Sequence, residues 1–130
     1  MAERSLDWLR QAEADLRHAR NSRDDLDHNW AAFAAHQAAE KAIKAVFQRR
    51  HLDAWGHTLS VLLESLPGDG RPPGDLIDSA KELDKHYIPT RHPNGFERGA
   101  PVDFYTLREA EQAIANAEAI LDWCRGQIGR

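Results

Sequence analysis

The chain has 130 residues, 42% hydrophobic and 29% charged, which is the composition of a globular protein and excludes a disordered one. Its 17 basic and 21 acidic residues give a net charge of −4, which argues against a generic nucleic-acid coat but permits a local basic pocket. The single cysteine, Cys124, cannot form an internal disulfide, and no apolar run reaches the roughly 18 residues of a membrane span. We therefore expect a cytoplasmic protein.

Two amphipathic helices are predicted in the first part of the chain. The first, from about Glu3 to Arg23, has apolar residues at spacings of three and four: Leu6, Leu9, Ala12, Leu16 and Ala19. The second, from about Asn29 to Arg50, carries alanines along one face, so another helix can approach closely and we expect it at the centre of a bundle. Its other faces carry polar residues, namely Gln37, Lys41, Lys44 and Gln48 in one row and His36 and Glu40 one turn apart.

A short helix and a longer one are predicted in the middle of the chain. Helical spacing indicates the short helix between His57 and Leu66, with apolar positions at Leu59, Leu62, Leu63 and Leu66. Residues 67–74 are too rich in proline and glycine to continue it. The fourth helix follows, and one side of it carries Leu76, Ala80, Leu83 and Tyr87.

The last part of the chain combines an irregular segment with a long helix. From Ile88 to Asp103 three prolines and two glycines interrupt the backbone, and a loop of this length is usually functional or mobile. A capping-box pattern from Thr106 to Glu109 starts the last helix, whose apolar seam is Leu107, Ala110, Ile114, Ala117, Leu121 and Cys124. The predicted fold class is all-α, an antiparallel four-helix up-and-down bundle with an additional short helix.

Four segments carry a family resemblance, in the same order along the chain. Residues 32–45 are close to a second-helix pattern, and His57-Thr58-Leu59 resembles the histidine that opens the next helix. Residues 83–93 resemble a Tyr-x-x-Thr-Arg-(aromatic)-Pro loop, and residues 105–123 resemble a last helix. Together they span nearly the whole chain and resemble the HEPN family (the higher-eukaryote and prokaryote nucleotide-binding domain). The resemblance implies a single HEPN-like helical domain over residues 1–130.

Members of this family are helical homodimers that bind nucleotides or RNA. Many act beside a separately encoded minimal nucleotidyltransferase, often as a toxin–antitoxin pair, and ribonuclease members use an Arg, four to six spacer residues and a His near the start of the last helix. This sequence departs from that pattern, because His92 directly follows Arg91 and no histidine comes after it. Arg50 and His57 have the right spacing, but they lie at the wrong place in the family's fold.

Arg91 is the first candidate for binding a ligand. A guanidinium offers five donors in a planar fork suited to phosphate oxygens, and the alternative is that Arg91 pins the loop to a helix carboxylate such as Glu40. Lys41 and Lys44 add positive charge on one helix face, where the alternative is a solvated face. Tyr87 is predicted to pack, with its hydroxyl free to reach a ligand.

His92 is the candidate general acid or base beside Arg91, although adjacent side chains do not normally point the same way. Histidines 57, 86 and 92 form no recognisable metal motif, and there is no Gly-rich phosphate loop, so we predict neither a metal site nor a cofactor. The four tryptophans are interpreted as core or interface anchors, unless one lies exposed beside the loop and stacks on a base.

Three functions remain as hypotheses. The leading one is a homodimeric module that binds a nucleotide or RNA phosphate through Arg91 and acts with a minimal nucleotidyltransferase. The second is a metal-independent ribonuclease toxin, in which Arg91 stabilises the phosphate and His92 assists attack by the 2′-hydroxyl. The third is a dimeric bundle that only holds another protein, for which Arg91 would be unimportant.

Overall fold

A computed structural model describes residues 3–129 of the chain. This part contains six α-helices: α1 (Ser5–Asp24), α2 (His28–Arg49), α3 (Leu59–Glu64), α4 (Gly74–Asp84), α5 (Pro101–Phe104) and α6 (Leu107–Ile128). Two short 3₁₀ turns lie at Gly68–Gly70 and Pro93–Gly95, and no β-strand occurs within the described residues. The all-α prediction is therefore confirmed.

Helix α2 is the centre of the bundle, as its alanine content predicts. It packs along both α1 and α6, and α4 packs against α6 and the short α3. Ala35, Ala38, Ala39, Ala42 and Ala45 of α2 are completely buried. Because an alanine side chain is only a methyl group, the neighbouring helix backbones lie close to α2 on several sides at once.

The start of α6 is fixed by the capping box that the sequence predicts. The Thr106 hydroxyl accepts a hydrogen bond from the Glu109 backbone N–H at 3.1 Å, and the Glu109 carboxylate accepts one from the Thr106 N–H at 3.1 Å. These bonds satisfy two donors that a helix end otherwise leaves free. The helix ends at Gly129, which has a φ of +73°.

Several details of the sequence prediction are wrong. Helix α4 ends at Asp84, so Tyr87 lies in the turns that follow it and not on the helix. Leu6 and Leu107 are about half exposed and do not belong to the apolar seams of their helices. The irregular segment from Ile88 to Asp103 contains the 3₁₀ turn and most of α5, where the Asp103 carboxylate accepts a hydrogen bond from the Ala100 N–H at 2.9 Å.

None of the helices in residues 3–129 combines the length and the apolar character that crossing a bilayer requires.

Candidate functional site

Arg91 lies on an aromatic surface formed by α2 and the turn after α4. Its guanidinium carbon is 4.2 Å from the centre of the Phe33 ring and 4.9 Å from that of Tyr87. Its Nε and Nη2 atoms both donate to the Tyr87 carbonyl, at 3.1 and 2.7 Å. A cation over an aromatic face is stabilised by the ring quadrupole. The guanidinium is thus fixed by one edge, and its Nη1 has no hydrogen-bond partner among the described residues.

The loop that carries Arg91 is anchored by the residue before it. Thr90 is completely buried, its hydroxyl donates to the His86 carbonyl at 2.7 Å, and its own carbonyl accepts a hydrogen bond from Asn29 at 3.1 Å. Asn29 is buried in the first turn of α2. Thr90 therefore anchors the backbone of the loop, and the Arg91 side chain extends from it to the surface.

Glu40 organises the side of the site that faces α3. Its Oε2 accepts hydrogen bonds from Lys44 Nζ and from His57 Nδ1, each at 2.9 Å, while its Oε1 is buried without a protein partner in the described residues. Burial raises the pKa of Glu40, but the hydrogen bonds from Lys44 and His57 outweigh it and keep the pKa below its usual value. Glu40 is therefore a carboxylate at neutral pH.

His57 completes the row of rings. Its imidazole stacks on Tyr87 with 5.2 Å between ring centres and an interplanar angle of 18°, so Tyr87 contacts both His57 and Arg91. The side chain of His57 is 54% exposed, in contrast to the buried Glu40 that holds it. In the sequence, His57 resembles the histidine that opens the next helix in the HEPN family, and in the structure it lies beside Tyr87.

His36 lies beneath this surface and is fully buried. Its ring is 5.0 Å from Tyr87 and 6.3 Å from Phe33, centre to centre, and its Nε2 has no hydrogen-bond partner in the described residues. Burial lowers the pKa of His36 to about 4, because the charged form loses its hydration. His36 is therefore a neutral part of the floor of the site.

Asp84 fixes the position of α3 next to His57. Its carboxylate accepts hydrogen bonds from the Leu59 N–H at 2.6 Å, the Ser60 hydroxyl at 2.6 Å and the Ser60 N–H at 3.2 Å. These are donors of the first turn of α3, which its own Thr58 side chain does not cap. A cavity of about 340 Å³ opens here and is lined by His57, Thr58, Asp84, Tyr87, Ile88 and Pro89.

The other predicted ligand-binding residues lie at different distances from Arg91. Lys44 is connected to it through Glu40, His57 and Tyr87, but Lys41 turns towards α1 and forms an ion pair with Asp15 at 2.6 Å. Lys41 lines a separate groove of about 860 Å³ along α1. The suggested contact of Arg91 with Glu40 is wrong, because Glu40 is bound by Lys44 and His57 instead.

His92, the predicted acid or base, is exposed beside Arg91, and its side chain makes no hydrogen bond within residues 3–129. Its catalytic role, like the ligand-binding roles of the other residues, stays a prediction. No group of three or more histidine, cysteine or acidic side chains is placed to hold a metal ion in this part of the chain.

Sequence reasoning missed Phe33, Asn29 and Asp84 as parts of the site. An aromatic residue on an alanine-rich helix is normally interpreted as part of the hydrophobic core, so nothing in the sequence marks Phe33 as a site residue. Asn29 and Asp84 lie at predicted helix ends, where polar residues are common caps. What they bind depends on contacts 61 and 25 residues away in the chain, which a local pattern does not contain.

Comparisons with known proteins agree on one family. Residues 5–127 match the HEPN domain family. Among solved structures, a Thermus thermophilus protein is 45% identical, with a TM-score of 0.94 over 97% of this chain and 99% of its own. An archaeal HEPN homologue is 39% identical, with a TM-score of 0.83 over 98% of this chain and 99% of its own. A Thermotoga maritima HEPN domain protein is 36% identical, with a TM-score of 0.78 over 95% and 98%.

A more distant relative carries a functional name. A Methanocaldococcus jannaschii protein named as a candidate toxin is 27% identical over 125 residues, which cover 88% of this chain and 82% of the relative.

Proposed function

Because this chain belongs to the HEPN domain family, we propose that it is a binding module that holds a nucleotide or RNA phosphate on the open edge of Arg91. The observation that carries the proposal is the position of the guanidinium: two donors are fixed on the Tyr87 carbonyl and Nη1 is free of protein partners in the described residues. A fixed arginine loses little conformational entropy when it binds a phosphate oxygen. Charge-assisted hydrogen bonds of this kind are about twice as strong as neutral ones.

Trp30 supports a nucleic acid or nucleotide as the ligand. Its indole is 49% exposed and meets Phe33 edge to face, with 5.9 Å between ring centres, so it lies next to the ring that carries Arg91. An exposed aromatic ring beside a phosphate-binding arginine is the arrangement that stacks a base while the phosphate is held. We propose that Trp30 contributes this stacking.

We also propose that the protein works as a homodimer together with a minimal nucleotidyltransferase, in a toxin–antitoxin-like pair. Family membership and the toxin name of the 27% identical relative support this proposal. Sedimentation at micromolar concentration tests the dimer: a mass of twice 14.7 kDa is expected, and the monomer mass would contradict it.

Binding of a fluorescently labelled single-stranded RNA tests the proposed site. Arg91→Ala should weaken binding at least about tenfold, and Arg91→Lys should restore little of it, because an ammonium lacks the planar fork. Arg98→Ala is the matched control, since Arg98 is an exposed arginine of the same irregular segment. Equal affinities for the natural protein and Arg91→Ala would refute the proposal.

A second candidate function is metal-independent cleavage of RNA, favoured by the exposure of His92, the residue that follows Arg91 in the sequence. In this reaction the 2′-oxygen bonds to phosphorus while the bond between phosphorus and the 5′-oxygen breaks. His92 takes the proton of the 2′-hydroxyl, and water supplies the proton of the departing 5′-hydroxyl. RNA should then be cleaved in the presence of EDTA, and the cleavage should be lost in both Arg91→Ala and His92→Ala. Intact RNA at high protein concentration would rule this function out.

A further inference from the structure

His57 and Glu40 form a carboxylate–histidine pair at the edge of the Arg91 site. The Nδ1 atom of His57 is 2.9 Å from Glu40 Oε2, and only the histidine member of the pair is exposed. The Glu40 carboxylate is held in turn by Lys44 Nζ. Neither the phosphate site proposed above nor the ribonuclease alternative uses this pair.

The carboxylate determines which nitrogen of His57 is available to a ligand. Because Glu40 is ionised and accepts a hydrogen bond, Nδ1 must carry a proton in both charge states of the ring. Nε2 then has a lone pair in the neutral ring and an N–H in the imidazolium. Nε2 makes no hydrogen bond within residues 3–129, so it is the atom that can meet a ligand.

We propose that His57, held by Glu40, is a second anion-binding group of the Arg91 site, so that a phosphate of the ligand binds together with a proton. The inference rests on the proposed function, because it adds a residue and a proton to the same site. In the bound state the protonated Nε2–H donates to one phosphate oxygen, while Arg91 Nη1 donates to another oxygen of the same or the next phosphate.

The span between the two groups is compatible with a phosphate. Both pack on the Tyr87 ring, at 5.2 and 4.9 Å from its centre, so the His57 ring centre and the Arg91 guanidinium carbon are no more than about 10 Å apart. Two charge-assisted hydrogen bonds to different oxygens of one phosphate join donor nitrogens that are at most about 8 Å apart. The limit given by the Tyr87 contacts therefore permits one phosphate, or two neighbouring phosphates, to contact both groups.

The charges around His57 explain why a proton matters. The charged groups are Glu40 and Lys44 from α2, Asp84 at the end of α4, and Arg91 from the loop. Their charges cancel, and the buried His36 beneath Tyr87 adds none, because burial lowers its pKa to about 4. A neutral His57 leaves the site without net charge, whereas an imidazolium makes it positive and attracts an anion.

Binding of a uridine-only RNA oligonucleotide at different pH values tests the inference, because its phosphodiesters and bases do not titrate near neutrality. Between about pH 8 and about pH 5.5 the affinity of the natural protein should rise, by no more than about tenfold per pH unit for one proton. In His57→Gln, which keeps a donor for Glu40, the affinity should be the same at both pH values. His18→Gln, an exposed histidine of α1, is the matched control and should keep the rise.

Glu40→Gln tests whether the Glu40 carboxylate acts on His57 or only contributes to the stability of the fold. This variant removes the charge that stabilises the imidazolium, so the rise in affinity should move to lower pH, while thermal unfolding checks that the fold is intact.

The outcomes separate this inference from the proposed function. A rise that persists in His57→Gln, or an affinity of the natural protein that depends on Arg91 but not on pH, would overturn the inference and leave the proposed function standing. Binding that does not depend on Arg91 at any pH would overturn both.

Discussion

Asp84 carries a larger share of the local stability than its position at the end of a helix suggests. Its carboxylate accepts three hydrogen bonds from Leu59 and Ser60, both of which are buried. Removing a charged acceptor that caps a buried helix start costs about 1.5–3 kcal/mol per strong bond, and partial access of water to the freed donors reduces the sum. We therefore expect Asp84→Ala to lower the free energy of unfolding by about 2–4 kcal/mol.

Urea unfolding followed by circular dichroism measures this change. Asp84→Asn should lose about 1–2 kcal/mol, because its amide oxygen still accepts one of the bonds. Asp78→Ala is the matched control on the same helix, where an exposed aspartate should change stability by less than about 0.5 kcal/mol. If Asp84→Ala lost no more than Asp78→Ala, the capping bonds of α3 would not stabilise the fold, and the reasoning from their geometry would be refuted.

Two further predictions concern His36 and Lys41. The pKa of His36 is about 4 in the folded protein and 6.5 for the free side chain, so between these pH values the unfolded chain binds more protons. The free energy of unfolding should therefore fall by about 3 kcal/mol when the pH is lowered through this window. His36→Phe should remove this share of the pH dependence and His18→Phe should not, as measured by urea unfolding at a series of pH values. Lys41→Met breaks the ion pair with Asp15 and should cost about 1 kcal/mol of stability in urea unfolding. The same variant tests the predicted ligand-binding role: a loss of RNA affinity like that of Arg91→Ala would place Lys41 in the ligand site, and an unchanged affinity would exclude it.

Five of the six helices in residues 3–129 were predictable because each carries a local signal, whereas the short α5 was not predicted. The capping box at Thr106 and the alanine face of α2 depend on residues three or four apart, and both predictions are confirmed. The end of α4 was not predictable in the same way. Tyr87 continues the apolar spacing of that helix, but it follows the turn and packs on His36 and His57 instead. Tertiary contacts with α2 thus decide the conformation of this residue.

The candidate site was only partly predictable. Arg91 stands out in the sequence because its Thr-Arg-His-Pro segment resembles the family's Thr-Arg-(aromatic)-Pro loop and a guanidinium suits phosphate oxygens. The partners of Arg91 were not visible, since Phe33 lies 58 positions earlier and looks like an ordinary core residue. Lys41 and Lys44 share a helix face in projection, yet the structure turns one towards Asp15 and the other towards Glu40. Periodicity places side chains on a face, but the neighbouring helices determine their partners.

Two buried polar residues beneath Tyr87, His36 and Glu40, indicate that this region is not optimised for stability alone. Nε2 of His36 and Oε1 of Glu40 are both buried without protein partners in residues 3–129, and these residues lie one turn apart on α2. A buried polar atom without a partner costs about 1–3 kcal/mol, so an apolar residue at position 36 should leave the protein at least as stable at neutral pH. Such a cost is commonest where a site must hold charged groups in place. Here the charged groups are Lys44, Glu40 and Arg91: Glu40 binds Lys44 and His57, and His57 and Arg91 both contact the Tyr87 ring. His36→Phe should therefore match or exceed the natural protein in stability, and any accompanying loss of RNA affinity would show that the floor serves the site.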